Sequence, residues 1–192
     1  YSAVADDWVG ITPGTDGLFI MSLIHLLLKA GKIDLVYLSK FTNAPALVDN
    51  ETGLLLKDAD NKELVIDKRS GKLVAFDTKN IQPSLTANHK GNQTVFYHII
   101  EKYLSDEFSP EAVSERTGIK AGKIRAIAAE IARVAFEESF EIDQEWKDFR
   151  GNKHKKMLAR PVSFHAMRGI SAHSNGFQTC RALHVLQIIL GT

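Results

Sequence analysis

The sequence predicts an α/β fold, a layered sheet with helices on its faces and a small β-meander. Two strand-turn-helix units, one near each end of the chain, carry that prediction. Each has a short apolar run, then a glycine-containing turn, then an apolar helix: Trp8–Ile11 before Pro13-Gly14, and Val162–Ala166 before Gly169–Gly176. Three short strand-like runs separated by polar turns, between residues 54 and 76, predict the meander.

Taken in order, Thr15 or Asp16 caps a first helix that runs to about Ala30 and stops at Gly31. It is apolar on nearly every face, so it belongs inside the protein. Ile33 to Phe41 predicts a second short helix, broken by Asn43-Ala44-Pro45. Leu54–Leu56, Glu63–Asp67 and Lys72–Phe76 are the meander strands. Asp77 to Gln93 is polar and predicts an exposed, irregular loop. A helix follows over Thr94 to Leu104; Ser109-Pro110 starts another, which Gly118 ends. Ile124, Ile127, Ile131 and Val134 make the apolar stripe of a longer helix. Residues 139–160 are charged, and "KHKK" at Lys153 to Lys156 predicts solvated loop. The last helix spans about Phe177 to Leu190 and stops at Gly191.

The chain has 192 residues, 44% of them hydrophobic, and a net charge of +1. That supports one domain with an ordinary core. It offers no electrostatic footprint for nucleic acid or an anionic membrane. Cys180 is the single cysteine and makes no internal disulfide. The apolar run Leu18–Leu28 is too short to span a bilayer, which takes about 20 residues. The chain has no initiator Met and opens at Tyr1 within structured-looking sequence, as a piece of a longer protein would.

Two turns are candidate sites. In an α/β sheet such turns lie at the carboxyl edge, where ligands bind. A phosphate wants bare helix amides, but the first helix begins with a carboxylate, Asp16. A carboxylate pairs well with two adjacent N–H donors, such as the N1–H and N2 amino edge of guanine. The plainer reading, that Thr15 or Asp16 only caps the helix, has precedence on these residues alone. In the second turn, Ser174 and Asn175 stand near a helix start, flanked by Arg168 and His173. Amides there suit an anion, although a cap reading again comes first. "SPEAVSERTGIKAGKIRAIAAEIARVA" has the outline of a helix-turn-helix, with Lys120, Lys123 and Arg125 at its second helix; a packed helix pair is the simpler account. His25 reads as a core histidine. Cys180 and His184 share a helix face, but two ligands do not make a zinc site, and no metal ligand set is predicted.

Three segments in order resemble the molybdopterin oxidoreductase family, typified by dimethyl sulfoxide reductase and formate dehydrogenase. They are "ADDWVGITPGTDGLFIMSLIHLLLKAGKIDLVYLSKFTNAP", "SPEAVSERTGIKAGKIRAIAAEIA" and "MRGISAHSNGFQTCRALHVLQIILGT". Residues of about 44–93 match less well and read as a lineage-specific insertion within one 1–192 domain. The resemblance implies a Rossmann-like domain of a catalytic subunit that binds bis(molybdopterin guanine dinucleotide) with Mo or W. Pro13, Gly14, Thr15 and Asp16 match a turn that holds a guanine nucleotide in relatives. Arg168, Gly169, His173, Ser174, Asn175 and Gly176 match a segment near the pterin; many relatives have Gln where this chain has Ala172.

The family's iron–sulfur cysteine cluster, its metal-ligating residue and its C-terminal β-barrel domain are not in this sequence. The resemblance therefore implies one internal domain, not catalytic alone, of an oxidoreductase moving two electrons with oxo or sulfur transfer. Implied partners are a small-molecule substrate, the remaining domains of the catalytic chain, and iron–sulfur electron-transfer and membrane-anchor subunits, without nucleic acid. The compartment stays open between the cytoplasmic and periplasmic faces of a bacterial or archaeal membrane. The alternatives are the non-catalytic relative within respiratory complex I and a DNA-binding regulator.

Overall fold

The computed structural model describes residues 5–149 and 151–192. The expectation of ordered sequence at Tyr1 falls outside them. In chain order the elements are α1 (Asp16–Lys29), α2 (Leu35–Phe41), β1 (Leu47–Val48), β2 (Leu64–Ile66), β3 (Leu73–Ala75), β4 (Asn88–His89) and β5 (Asn92–Thr94). There follow α3 (Val95–Tyr103), a 3₁₀ turn (Asp106–Phe108), α4 (Pro110–Thr117) and α5 (Ala121–Glu137). The chain ends with β6 (Phe140–Ile142), β7 (Trp146–Lys147), β8 (Lys153–His154), β9 (Met157–Ala159), a second 3₁₀ turn (Arg168–Ser171) and α6 (Gly176–Leu190).

The apolar α1 is the axis of the core. It packs on α6, α5, α4 and α3, and Ile24, Leu27, Leu186 and Ile189 meet there with no more than 1% exposure. Full burial of each such side chain contributes about 1.5–3 kcal/mol. His25, also buried, places Nδ1 3.0 Å from the Tyr103 carbonyl, as befits a core histidine. α1 and α6 lie side by side in the same direction. At one end the Asn175 amide donates to the Gly14 carbonyl; at the other the Asp34 N–H donates to the Ile189 carbonyl. Glycine permits the close approach: a Cβ on Gly17 would stand 2.9 Å from Thr179 Oγ1. No helix among the described residues is long and apolar enough to cross a membrane.

The fold is mixed α/β, with flanking helices compatible with a layered arrangement, but the sheet differs from expectation. Trp8–Ile11 and Val162–Ala166 are not strands, and no parallel sheet forms among the described residues. A strand exists only with a hydrogen-bonded neighbour, which apolar patterning cannot supply by itself. The sheets are small and antiparallel: β1-β5-β4, β2-β3, β6-β9 and β7-β8.

The meander is present, with Leu55 bridging Val48, Lys57 bridging Glu63, and β2 paired to β3. The expected loop over Asp77–Gln93 instead carries the β4–β5 hairpin. Lys90 (φ 53°) and Gly91 (φ 91°) are its two turn residues, with His89 paired to Asn92. Positive φ at both positions is what a tight I′ turn requires, and Lys in the first hid the signal. The described residues of the charged stretch 139–160 form a nested arm in which β6 pairs with β9 and β7 with β8, so that Lys153-His154 of the expected solvated loop is a strand. Trp146 stacks on His154 at 4.3 Å and reaches Phe41 of α2, which pins the arm to the body.

Candidate functional site

The first turn is built locally. Thr12-Pro13-Gly14-Thr15 closes with the Thr15 N–H on the Thr12 carbonyl at 3.2 Å. Proline second and glycine third (Gly14 φ 80°) suit a type II turn. A Cβ on Gly14 would meet nothing within 4 Å, so that face is open. Thr15 is the helix N-cap by position, but its hydroxyl donates to the Thr12 carbonyl at 2.7 Å. No side chain caps α1, and the half-buried Asp16 carboxylate has no hydrogen-bond partner among the described residues. The capping role that had precedence for both residues is not what this structure does with them.

The second turn differs from its capping expectation too. Asn175 is the N-cap of α6 by position, yet its side chain makes no cap bond; Nδ2 donates to the Gly14 carbonyl at 3.0 Å instead. Gly176 is buried, and a Cβ there would come within 2.1 Å of the Ser171 carbonyl oxygen, so only glycine fits. Ser174 and His173 are exposed beside it. The two candidate turns, 161 residues apart in sequence, thus meet at one edge. Pro13, Gly14, Thr15 and Asp16 face Ser174, Asn175 and Gly176 across that contact. Arg168 and Gly169 lie further along, exposed in the 3₁₀ turn.

Both helix N-termini open onto this edge. The Asp16, Gly17, Phe177 and Gln178 amides have no acceptor among the described residues. Each helix terminus carries roughly +0.5 of an elementary charge, so the pair presents about one positive charge. A cavity of about 370 Å³ adjoins it, lined by Asp16, Val9, Phe19, Ile131, Phe164 and Leu183 among others. Among the described residues no group of three or more His, Cys, Asp or Glu could hold a metal ion. The arrangement suits recognition of a ligand with an anionic part and an N–H-rich part.

The helix-turn-helix outline is packing. Gly118 ends α4 at φ 75°, and the Thr12 N–H donates to the Thr117 carbonyl at 2.9 Å. Lys123 pairs with Asp7 and Arg125 with Glu111.

Sequence reasoning missed Arg160. Its guanidinium, 8% exposed, donates to Asp34 Oδ2 at 2.5 Å and to the Ala135 carbonyl at 2.7 Å, and lies over the Phe136 ring. It borders a cavity of about 820 Å³ between α2 and the arm, which Tyr37, Phe41, Trp146 and Leu158 also line. Nothing local marks this residue, because its partners come from two distant segments, Asp34 before α2 and Ala135-Phe136 in α5.

No family model matches the chain. It is 35% identical over 210 aligned residues to a sulfite dehydrogenase subunit of Allochromatium vinosum, covering 100% of this chain and 22% of that protein. It is 26% identical over 194 residues to the formate dehydrogenase major subunit of Haemophilus influenzae, covering 99% and 16%. Against the alpha subunit of dimethylsulfide dehydrogenase from Rhodovulum sulfidophilum it is 24% identical over 149 residues, covering 67% and 16%. The chain spans 16–22% of the length of these curated relatives. These similarities support a broad assignment of the chain to the molybdopterin oxidoreductase family, without singling out a subtype.

Proposed function

We propose that the chain is a molybdopterin guanine dinucleotide-binding domain within the catalytic subunit of a longer molybdenum or tungsten oxidoreductase. The observation that carries this reading is the Asn175–Gly14 contact, which brings an unpartnered carboxylate and two open helix N-termini to one edge. The residues present fit a guanine nucleotide and not the metal: the edge has a carboxylate and bare amides, but no cluster of metal ligands among the described residues. When bound, the cofactor supplies the metal centre at which the parent's two-electron chemistry takes place.

In this reading Asp16 accepts both N–H donors of the guanine edge. Gly14 leaves room for the nucleotide, and its carbonyl is held in place by Asn175. The first-turn amides of α6, with the Ser174 hydroxyl, hold a phosphate, and the exposed Arg168 and His173 flank the cofactor. The α6 N-terminus contributes about 0.3–1 kcal/mol to an anion held there. The remaining domains supply the metal ligand and the second half of the site. Iron–sulfur and membrane-anchor subunits complete the assembly around a small oxo- or sulfur-transfer substrate.

The test is Asp16→Asn in the full-length parent. Asn keeps the shape but turns a donor toward the guanine donors, which leaves a buried N–H unsatisfied at a cost of about 1–3 kcal/mol. Molybdenum or tungsten content after purification should fall several-fold. The melting temperature of the metal-free protein should hardly move, since the Asp16 side chain makes no hydrogen bond here. Full metal loading in the variant refutes the assignment of Asp16.

A further inference from the structure

One dipeptide at the junction of α1 and α6 is chemically labile. Asn175-Gly176 is the single Asn-Gly pair in the chain. The backbone nitrogen that follows an asparagine attacks its side-chain amide most readily when the next residue is glycine, which has no side chain in the way. Packing fixes both residues here. A Cβ on Gly176 would come within 2.1 Å of the Ser171 carbonyl oxygen, and Asn175 Nδ2 donates to the Gly14 carbonyl at 3.0 Å. The fold therefore keeps a reactive pair at this junction, with Asn175 exposed to water.

The same junction holds the pair unreactive. Ring closure needs the Gly176 nitrogen beside the Asn175 Cγ. With ψ at 9°, that nitrogen lies alongside the Asn175 nitrogen instead. Turning it breaks the Gly176 N–H bond to the His173 carbonyl, 2.9 Å, and the Asn175 Nδ2 bond to Gly14. It also displaces the Asn175 carbonyl, which accepts the Thr179 N–H at 3.0 Å and the Thr179 hydroxyl at 3.2 Å. Reaction is thus confined to molecules in which the start of α6 has opened, and its rate reports that opening.

We propose that Asn175 is a deamidation site gated by the α1–α6 contact. In the open state the Gly176 nitrogen bonds to the Asn175 Cγ and loses its proton, and the side-chain nitrogen leaves as ammonia. Water then opens the five-membered imide. Cleavage at the former side-chain carbonyl leaves an aspartate at this position. Cleavage at the main-chain carbonyl leaves an isoaspartate, whose backbone is one carbon longer. Water is the only other reactant. Either product disturbs the junction. The aspartate has no N–H for the Gly14 carbonyl and sets a carboxylate against that oxygen. The isoaspartate lengthens the chain where the Ser171 carbonyl leaves no room for one more carbon. The site rests on the Asn175–Gly14 contact and not on the cofactor. Where the first turn of α6 holds a phosphate, as proposed above, the added negative charge repels it; that consequence alone rests on the cofactor reading.

The test is peptide mapping of the full-length parent, purified without cofactor and aged in mildly alkaline buffer beside a free peptide spanning 169–181. Mass spectrometry of that tryptic segment reads the conversion of amide to acid, and isoaspartyl methylation reads the longer backbone. Residue 175 in the folded parent should convert at least about tenfold more slowly than in the peptide, as when a helix end is open in a tenth of the molecules or fewer. Thr179→Ala removes one bond to the Asn175 carbonyl, and Gly17→Ala pushes α1 from α6. Each should convert several-fold faster than the wild type while still melting as a folded protein. Asn175→Gln should abolish the signal, because its ring would need six members and closes far more slowly. Conversion in the wild type as fast as in the peptide overturns the gate. Variants no faster than the wild type, or a signal that survives in Asn175→Gln, overturn the site. Metal loading of Asn175→Asp is read separately: a several-fold loss supports the phosphate consequence, and full loading overturns that consequence alone.

Discussion

Gly17→Ala tests whether the contact that holds the two helix N-termini together is as tight as it looks. By helix propensity alone the change should stabilise, since Ala is better than Gly in a helix interior by about 0.8–1.0 kcal/mol. The structure predicts the opposite. The new Cβ would lie 2.9 Å from Thr179 Oγ1, inside the usual limit for such a contact. Thr179 is 3% exposed, and its hydroxyl donates to the Asn175 carbonyl at 3.2 Å, so it has no room to turn away. α1 and α6 must part by several tenths of an ångström. Overpacking of this kind costs about 1–3 kcal/mol, so the net loss is up to about 2 kcal/mol after the propensity gain. For a domain of this size that lowers the melting temperature by up to roughly 8 °C.

Thr179→Ala alone should cost about 0.5–1.5 kcal/mol for its lost hydrogen bond. In the double variant the remaining neighbours, the Cα and Cβ of residue 179, stand at an ordinary 3.7 Å, so most of the Gly17→Ala loss should return. Thermal and urea unfolding of the four proteins gives the coupling, expected at about 1 kcal/mol or more. A Gly17→Ala protein more stable than the wild type, with no coupling to Thr179, refutes the argument.

Arg160→Ala leaves the largely buried Asp34 carboxylate without its cation and should cost about 3 kcal/mol, read from the urea midpoint. Asp34→Asn should cost less, because Asn still accepts the Tyr37 N–H at the start of α2. Bonds from Ser70 first and then the Gln82 amide hold the Asp67 carboxyl down at about 2, below its ordinary 3.8. A lowered folded pKa stabilises fully above the unfolded value, so the β2–β3 hairpin should loosen as the pH falls from about 4 to 2. Amide resonances of Val65 and Val74 should report that loosening, and Asp67→Asn should remove its pH dependence.

The helices were legible because their signals are local. Ser109 accepts from the Ala112 N–H ahead of Pro110, Thr94 accepts from the Tyr97 N–H, and Gly118 and Gly191 take up left-handed φ at the helix ends. The sheets were not, because pairing is a property of two segments. Phe140 and Ala159, or Leu47 and Thr94, are partners that neither local sequence announces. Of the candidate site, each turn could be read from its own residues, and the family resemblance joined them. Their meeting at Asn175 and Gly14 has no signature in either turn, and neither has the use of Thr15 and Asn175 for bonds other than caps.

The packing of α1 on α6 has a consequence for biosynthesis. α1 leaves the ribosome well before α6: Asn175 follows Gly14 by 161 residues. At about 5–20 residues per second, that delay is roughly 8–30 s. Throughout it, Ile20, Leu23, Ile24 and Leu27 lack the helix that covers them in the finished molecule. A nascent chain in that condition is a client for holding chaperones, and a pause in translation before residue 176 prolongs its exposure.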